Sequence, residues 1–110
     1  MFARKIIESD SFMNLSSEAQ SLYLHMCMSA DDDGFVNNIG YIIRGTNTKK
    51  ENYKELCDNN YVIPLNEGLS VITHWKVHNY IQKDRYRPSI YTEEKEKLEI
   101  NKGNIYHLKT

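Results

Sequence analysis

Cysteine is scarce in this chain, with two in 110 residues, and neither Cys27 nor Cys57 has a neighbouring cysteine that would form a ligand pair. That argues for reduced, buried thiols and an intracellular, cytoplasmic setting. Long apolar runs are missing too. Nothing approaches the roughly 20 residues that cross a bilayer, and the start, MFARKIIESDSF, carries Arg4, Lys5, Glu8 and Asp10 where a signal peptide would be apolar. There is no glycine-rich phosphate loop, no internal repeat and no long linker. The formal net charge is only −1, so affinity for nucleic acid has to come from local segregation of charge. A chain of 110 residues, 40% hydrophobic and 26% charged, builds one small core, too small for two lobes with a catalytic cleft between them.

Residues 2–15 set Phe2, Ile6, Ile7, Phe12, Met13 and Leu15 among polar residues, which predicts a short strand or helical turn packed on the body. Ser17 followed by Gln20 is a capping-box pattern, and Leu22, Tyr23, Met26 and Ala30 recur at helical spacing, predicting a helix over about 17–29. Leu24 and Met28 lie four apart on another side of that helix, where they either meet the N-terminal segment or form a self-association surface. ADDDGFV reads as turn chemistry followed by a very short strand at Phe35-Val36. Calcium does not suit it, since an EF-hand register would put Ser29 first and Gly40 last in the loop. A second helix is predicted from Asn37-Asn38 to about Arg44, ended by Gly45, and a third over about 49–60 after the capping pair Thr48 and Glu51. YVIPL, Asn66-Glu67-Gly68 and LSVITHW read as a β-hairpin with Pro64 on an edge strand and Trp75 closing its second strand. Three helices and a hairpin predict a mainly α winged helix-turn-helix domain over residues 1–91, with residues 92–110 as a charged helix or arm.

From His74 to Tyr91 the cations Lys76, Lys83, Arg85 and Arg87 are interleaved with Trp75, Tyr80, Tyr86 and Tyr91, against one acid, Asp84. Such cations can neutralise phosphates while the rings stack on bases; a merely solvated face is the plain alternative. On the third helix, with Tyr53, Leu56 and Cys57 inward, the outermost residues are Glu51, Glu55 and Asp58, an acidic face that repels phosphate. The expected DNA contacts are therefore Lys49 and Lys50 at its first turn with Lys54 beside them, Arg44 on the second helix, and Lys76, Lys83, Arg85, Tyr86 and Arg87. Neither catalysis nor a metal or cofactor is expected. Both cysteines face inward or flank the core, and His74 and His78 straddle the end of a predicted strand, more than ~13 Å apart if extended, without a third ligand.

The strings LSSEAQSLYLHM, ADDDGFVNN, YVIPL and GLSVITHWKVHNYIQKDRYRPSIY, with the TEEK that follows, resemble the N-terminal winged-helix domain of phage replisome organiser proteins, the DnaD-related replication initiators of phages of low-GC Gram-positive bacteria. The resemblance covers nearly the whole chain and is most specific in the order HW, HNYI, KDRY, P-x-x-Y. It implies binding of origin DNA, oligomerisation and recruitment of host helicase-loading proteins. Members generally carry a further C-terminal domain, so a chain ending at Thr110 is expected to be a fragment or a short stand-alone relative. The expected function is the DNA-binding domain of a phage or prophage initiator. The alternatives are a protein-interaction module that docks through the acidic third helix and the Leu24/Met28 face, and a phage transcriptional regulator reading bases through Lys50, Asn52 and Lys54.

Overall fold

A computed structural model describes residues 2–66, 68–79 and 85–109, which make a small α+β domain. The N-terminal segment takes the helical option as two single turns, α1 (Arg4–Ile7) and α2 (Asp10–Met13). Ser9 separates them, its hydroxyl accepting from Phe12 N–H and donating to the Ile6 carbonyl. The long helix α3 (Ser17–Ser29) begins as its spacing predicts, but its cap is Ser16, whose Oγ accepts from Ala19 N–H at 3.1 Å. Gln20 does not close a capping box; it donates to the Leu15 carbonyl. Ala19, Leu22, Tyr23, Met26 and Cys27 are buried along one side, and each large apolar side chain contributes roughly 1.5–3 kcal/mol.

Strand β1 (Phe35–Val36), helices α4 (Ile39–Thr46) and α5 (Lys50–Asp58), and strands β2 (Val62–Pro64) and β3 (Ser70–Ile72) follow. The strands form one antiparallel sheet in the order β1-β3-β2, with Phe35 opposite Val71 and Val62 opposite Ile72. Pro64 thus sits on an edge strand as its missing N–H requires. α4 does not stop at Gly45. It runs to Thr46, whose hydroxyl bonds back to the Ile42 carbonyl, and ends at Asn47 in the left-handed region (φ 56°), a conformation asparagine tolerates. α5 opens without the Thr48 box: Thr48 pairs with the Thr46 hydroxyl, while Lys49 N–H donates to Asn52 Oδ1 at 2.9 Å.

After Ile72 the chain departs from the predicted strand. Thr73 turns it, with its N–H donating to Tyr61 and its carbonyl accepting from Tyr106 N–H, and Trp75–His78 form a helical turn, α6. Trp75 therefore packs over the 32–34 loop instead of closing a strand, donating from Nε1 to the Asp32 carbonyl at 3.0 Å. The C-terminal stretch is also more than a charged helix. After α7 (Thr92–Glu96), strands β4 (Leu98–Ile100) and β5 (Tyr106–Leu108) form a hairpin that buries Leu98 and Tyr106. Tyr106 ties it to the body through its N–H on Thr73 and its hydroxyl on the Asp33 carbonyl. Among the described residues no helix is long and apolar enough to cross a membrane.

His78 fastens the N-terminus. Ala3 N–H donates to its Nδ1 at 2.8 Å, which puts the ring proton on Nε2, 2.6 Å from the Tyr23 hydroxyl. His74 and His78 thus do not straddle a strand end, as the sequence predicts, but stand one turn apart at the two ends of α6, and His78 is a satisfied core residue. Burial lowers its pKa from 6.5 to about 4, with His74 and the N-terminal amine pushing the same way. A protonated ring would turn Nδ1 into a donor facing the Ala3 donor. Its contribution is therefore full above pH 6.5 and lost as pH falls toward about 4, on the order of 2–3 kcal/mol. Urea melts from pH 7 to 4.5 should show this loss, and His78→Gln should remove most of the slope, leaving the part due to His74, which burial also depresses. An unaltered slope in His78→Gln would refute the assignment.

Candidate nucleic-acid interface

The basic, aromatic stretch folds back on the three aspartates that precede it. Asp31 does perform turn chemistry, its Oδ1 accepting from Asp33 and Phe35 N–H. The knot does more than turn the chain. Asp33 is fully buried (0% exposed), and its carboxylate receives the Tyr86 hydroxyl, 2.7 Å from both oxygens, and Ser89 N–H at 2.9 Å. Lys76 Nζ and Lys95 Nζ lie 3.5 and 3.2 Å from Oδ1. Both ammonium groups also stand over the Tyr86 ring, 5.4 and 5.3 Å from its centroid. Burial by itself raises the carboxyl's pKa, but the Tyr86, Ser89 and Lys95 contacts outweigh it and hold Asp33 below its usual range. Alongside, Asp32 Oδ2 accepts from Arg87 N–H, and Asp31 Oδ2 from the Ser89 hydroxyl.

This arrangement divides the expected electropositive ridge. Lys76 and Tyr86 are committed to Asp33, Trp75 is 7% exposed in the core, and Tyr91 packs on Phe35 while its hydroxyl accepts from Asn37. The side chains of Arg85 and Arg87 remain exposed, and Arg87 lines a cleft of about 390 Å³ with Asp31, Asp32 and Tyr91. Lys83 and Tyr80 lie outside the described residues. Sequence reasoning missed Lys95 and Ser89 as partners of the aspartates, and no local pattern marks them.

Around α5 the charges are redistributed in the opposite sense. Glu55 is not an outward acid: its carboxylate receives Ser16 N–H at 2.8 Å and the Ser16 hydroxyl at 2.7 Å, holding the start of α3. Asp58 is paired with Lys54 at 2.9 Å on the surface. Glu51 is thus the acid of α5 left exposed with no described cation. Arg44, Lys49 and Lys50 are exposed around the α4–α5 turn, and none makes an ion pair among the described residues. On α3, Leu24 is half-buried and packs against the core, whereas Met28 one turn on is 71% exposed.

Comparison with known proteins finds no family model that the chain matches, no similar curated protein and no similar solved structure.

Proposed function

We infer that the chain is a winged-helix domain that binds DNA through the α4–α5 corner. The wiring favours this class: helix α3, strand β1, helices α4 and α5, then a β2–β3 hairpin completing a β1-β3-β2 sheet is the order of a helix-turn-helix with its wing. The observation that carries the reading is electrostatic. Arg44, Lys49 and Lys50 stand exposed at the corner with no ion pair among the described residues, while Glu55 and Asp58 of the same region are engaged and Glu51 is the one exposed acid beside them. The particular protein that best fits, on the resemblance of its HW, HNYI and KDRY strings, is the DNA-binding domain of a phage replisome organiser. Phosphate contacts at the corner carry no base information, so a single copy binds unrelated sequences alike.

Fluorescence anisotropy on labelled duplex at low salt tests this. Reversing Arg44, Lys49 and Lys50 together to glutamate should weaken binding at least ~30-fold and flatten the salt dependence by about 3 in slope, on counterion release of ~0.9 per phosphate contact. Reversing Arg85 and Arg87 should cost less, because the acids of the 31–33 loop already lie against that segment. Equal binding by wild type and the triple variant would refute the corner as the interface.

A further inference from the structure

Tyr41 has no work inside the fold: it is 70% exposed on α4, one turn before Arg44. Its neighbours on the solvent side are glycines. At 100° per residue, Gly40, Arg44, Tyr41 and Gly45 span an arc of about 140°, opposite the inner side formed by Ile39, Ile42 and Ile43. Glycine inside a helix is disfavoured relative to alanine, so two within one eight-residue helix call for a reason. Neither has a positive φ, so no turn demands them. Internal packing does not demand them either: a Cβ on Gly45 would meet nothing within 4 Å, and one on Gly40 only the Arg44 guanidinium at 3.5 Å. The helix is bare where the aromatic ring and the guanidinium stand, and the cations Lys49 and Lys50 continue the patch beyond the turn.

We propose that Tyr41 and Arg44 seat a sugar-phosphate strand of the bound nucleic acid directly on the backbone of α4, with Gly40 and Gly45 providing the clearance. This rests on the DNA reading above and assigns the contact to the first helix of the pair, whose one charged residue is Arg44. The occupant is set by complementarity: Arg44, Lys49 and Lys50, without ion pairs among the described residues and outnumbering the exposed Glu51, recruit a polyanion, and a tyrosine hydroxyl donates to a phosphate oxygen. Another protein helix would fit bare glycines but would not require three exposed cations beside them.

The test separates clearance from folding. Gly45→Gln adds bulk on the open side and a better helix former, so its melting temperature should rise by a few degrees while affinity for a labelled duplex falls about tenfold. Tyr41→Ala should lose roughly fivefold or more, and Tyr41→Phe should keep the part due to the ring. Wild-type binding by either Gly45→Gln or Tyr41→Ala, with the Arg44/Lys49/Lys50 reversal still defective, overturns this inference and leaves the parent reading standing. A lowered melting temperature in Gly45→Gln overturns it as well, because the glycine would then serve the fold. If the wild type binds neither duplex nor single strand, the parent reading fails and takes this one with it.

Discussion

Asp33→Asn is expected to lower the free energy of unfolding by about 3 kcal/mol at neutral pH, the lower end for a buried ion pair robbed of one partner. The native carboxylate only accepts, and around it stand the donors Tyr86 hydroxyl and Ser89 N–H with two ammonium groups. An amide keeps one acceptor oxygen and turns two N–H donors toward groups that are themselves donors. The loss is limited because the Lys76 and Lys95 side chains are 28% and 41% exposed and can turn to water. The sign of the pH dependence follows from the lowered pKa. The charge contributes fully above its ordinary value of 3.8 and is lost as pH falls below that, so wild type and variant should converge in strong acid. Urea midpoints measured at pH 7 and again near pH 2.5 would check both parts. A variant as stable as wild type at pH 7 would show that the hub is not a stabilising element.

Gly34→Ala should be at least as damaging, at about 3–5 kcal/mol, because two costs add. Gly34 sits at φ 91°, outside the range that residues with a Cβ readily adopt. An added Cβ would also lie 2.6 Å from Trp75 Cγ and 2.7 Å from Trp75 Cβ. Neither group has room to retreat. Trp75 is anchored by its Nε1 bond to the Asp32 carbonyl, and the Gly34 carbonyl accepts from Ile72 N–H at 2.9 Å, tying the loop to β3. Thermal unfolding should show a drop of roughly 10–20 °C for a domain of this size. Pairing the change with Trp75→Leu should recover the steric part and leave the φ part, a coupling a double-mutant cycle reads directly. Strict additivity would show that the clash is not the cause.

Much of the local structure was legible. The spacing of Leu22, Tyr23 and Met26 marks α3, Gly68 supplies the positive φ of the hairpin turn at 79°, and Pro64 lies on the edge strand. Caps were less legible, because Ser16 and Ser17 are equally good in sequence and Glu55, from α5, favours the first. The helical turn at Trp75 escaped prediction for a similar reason. Thr73 spends its backbone groups on Tyr61 and Tyr106, and that ends the strand.

Side-chain charges set the limit. Lys76 and Tyr86 look outward in a one-dimensional reading, as does Glu55, since nothing nearby in the chain opposes them. Which charges are spent depends on what the fold carries across. Tyr86 reaches Asp33 over a separation of 53 residues, and Glu55 reaches Ser16 over 39.

The sequence by itself therefore determined where α3, α4, α5 and the β2–β3 hairpin lie, but not the helical turn at Trp75 or the C-terminal hairpin. Periodicity, turn residues and apolar content act over a few neighbours or on the total. Only the tertiary structure decided which of the described cations are paired and which stand exposed. A charge is cancelled by whatever is packed within a few ångströms of it, and packing brings together residues that no short-range pattern relates.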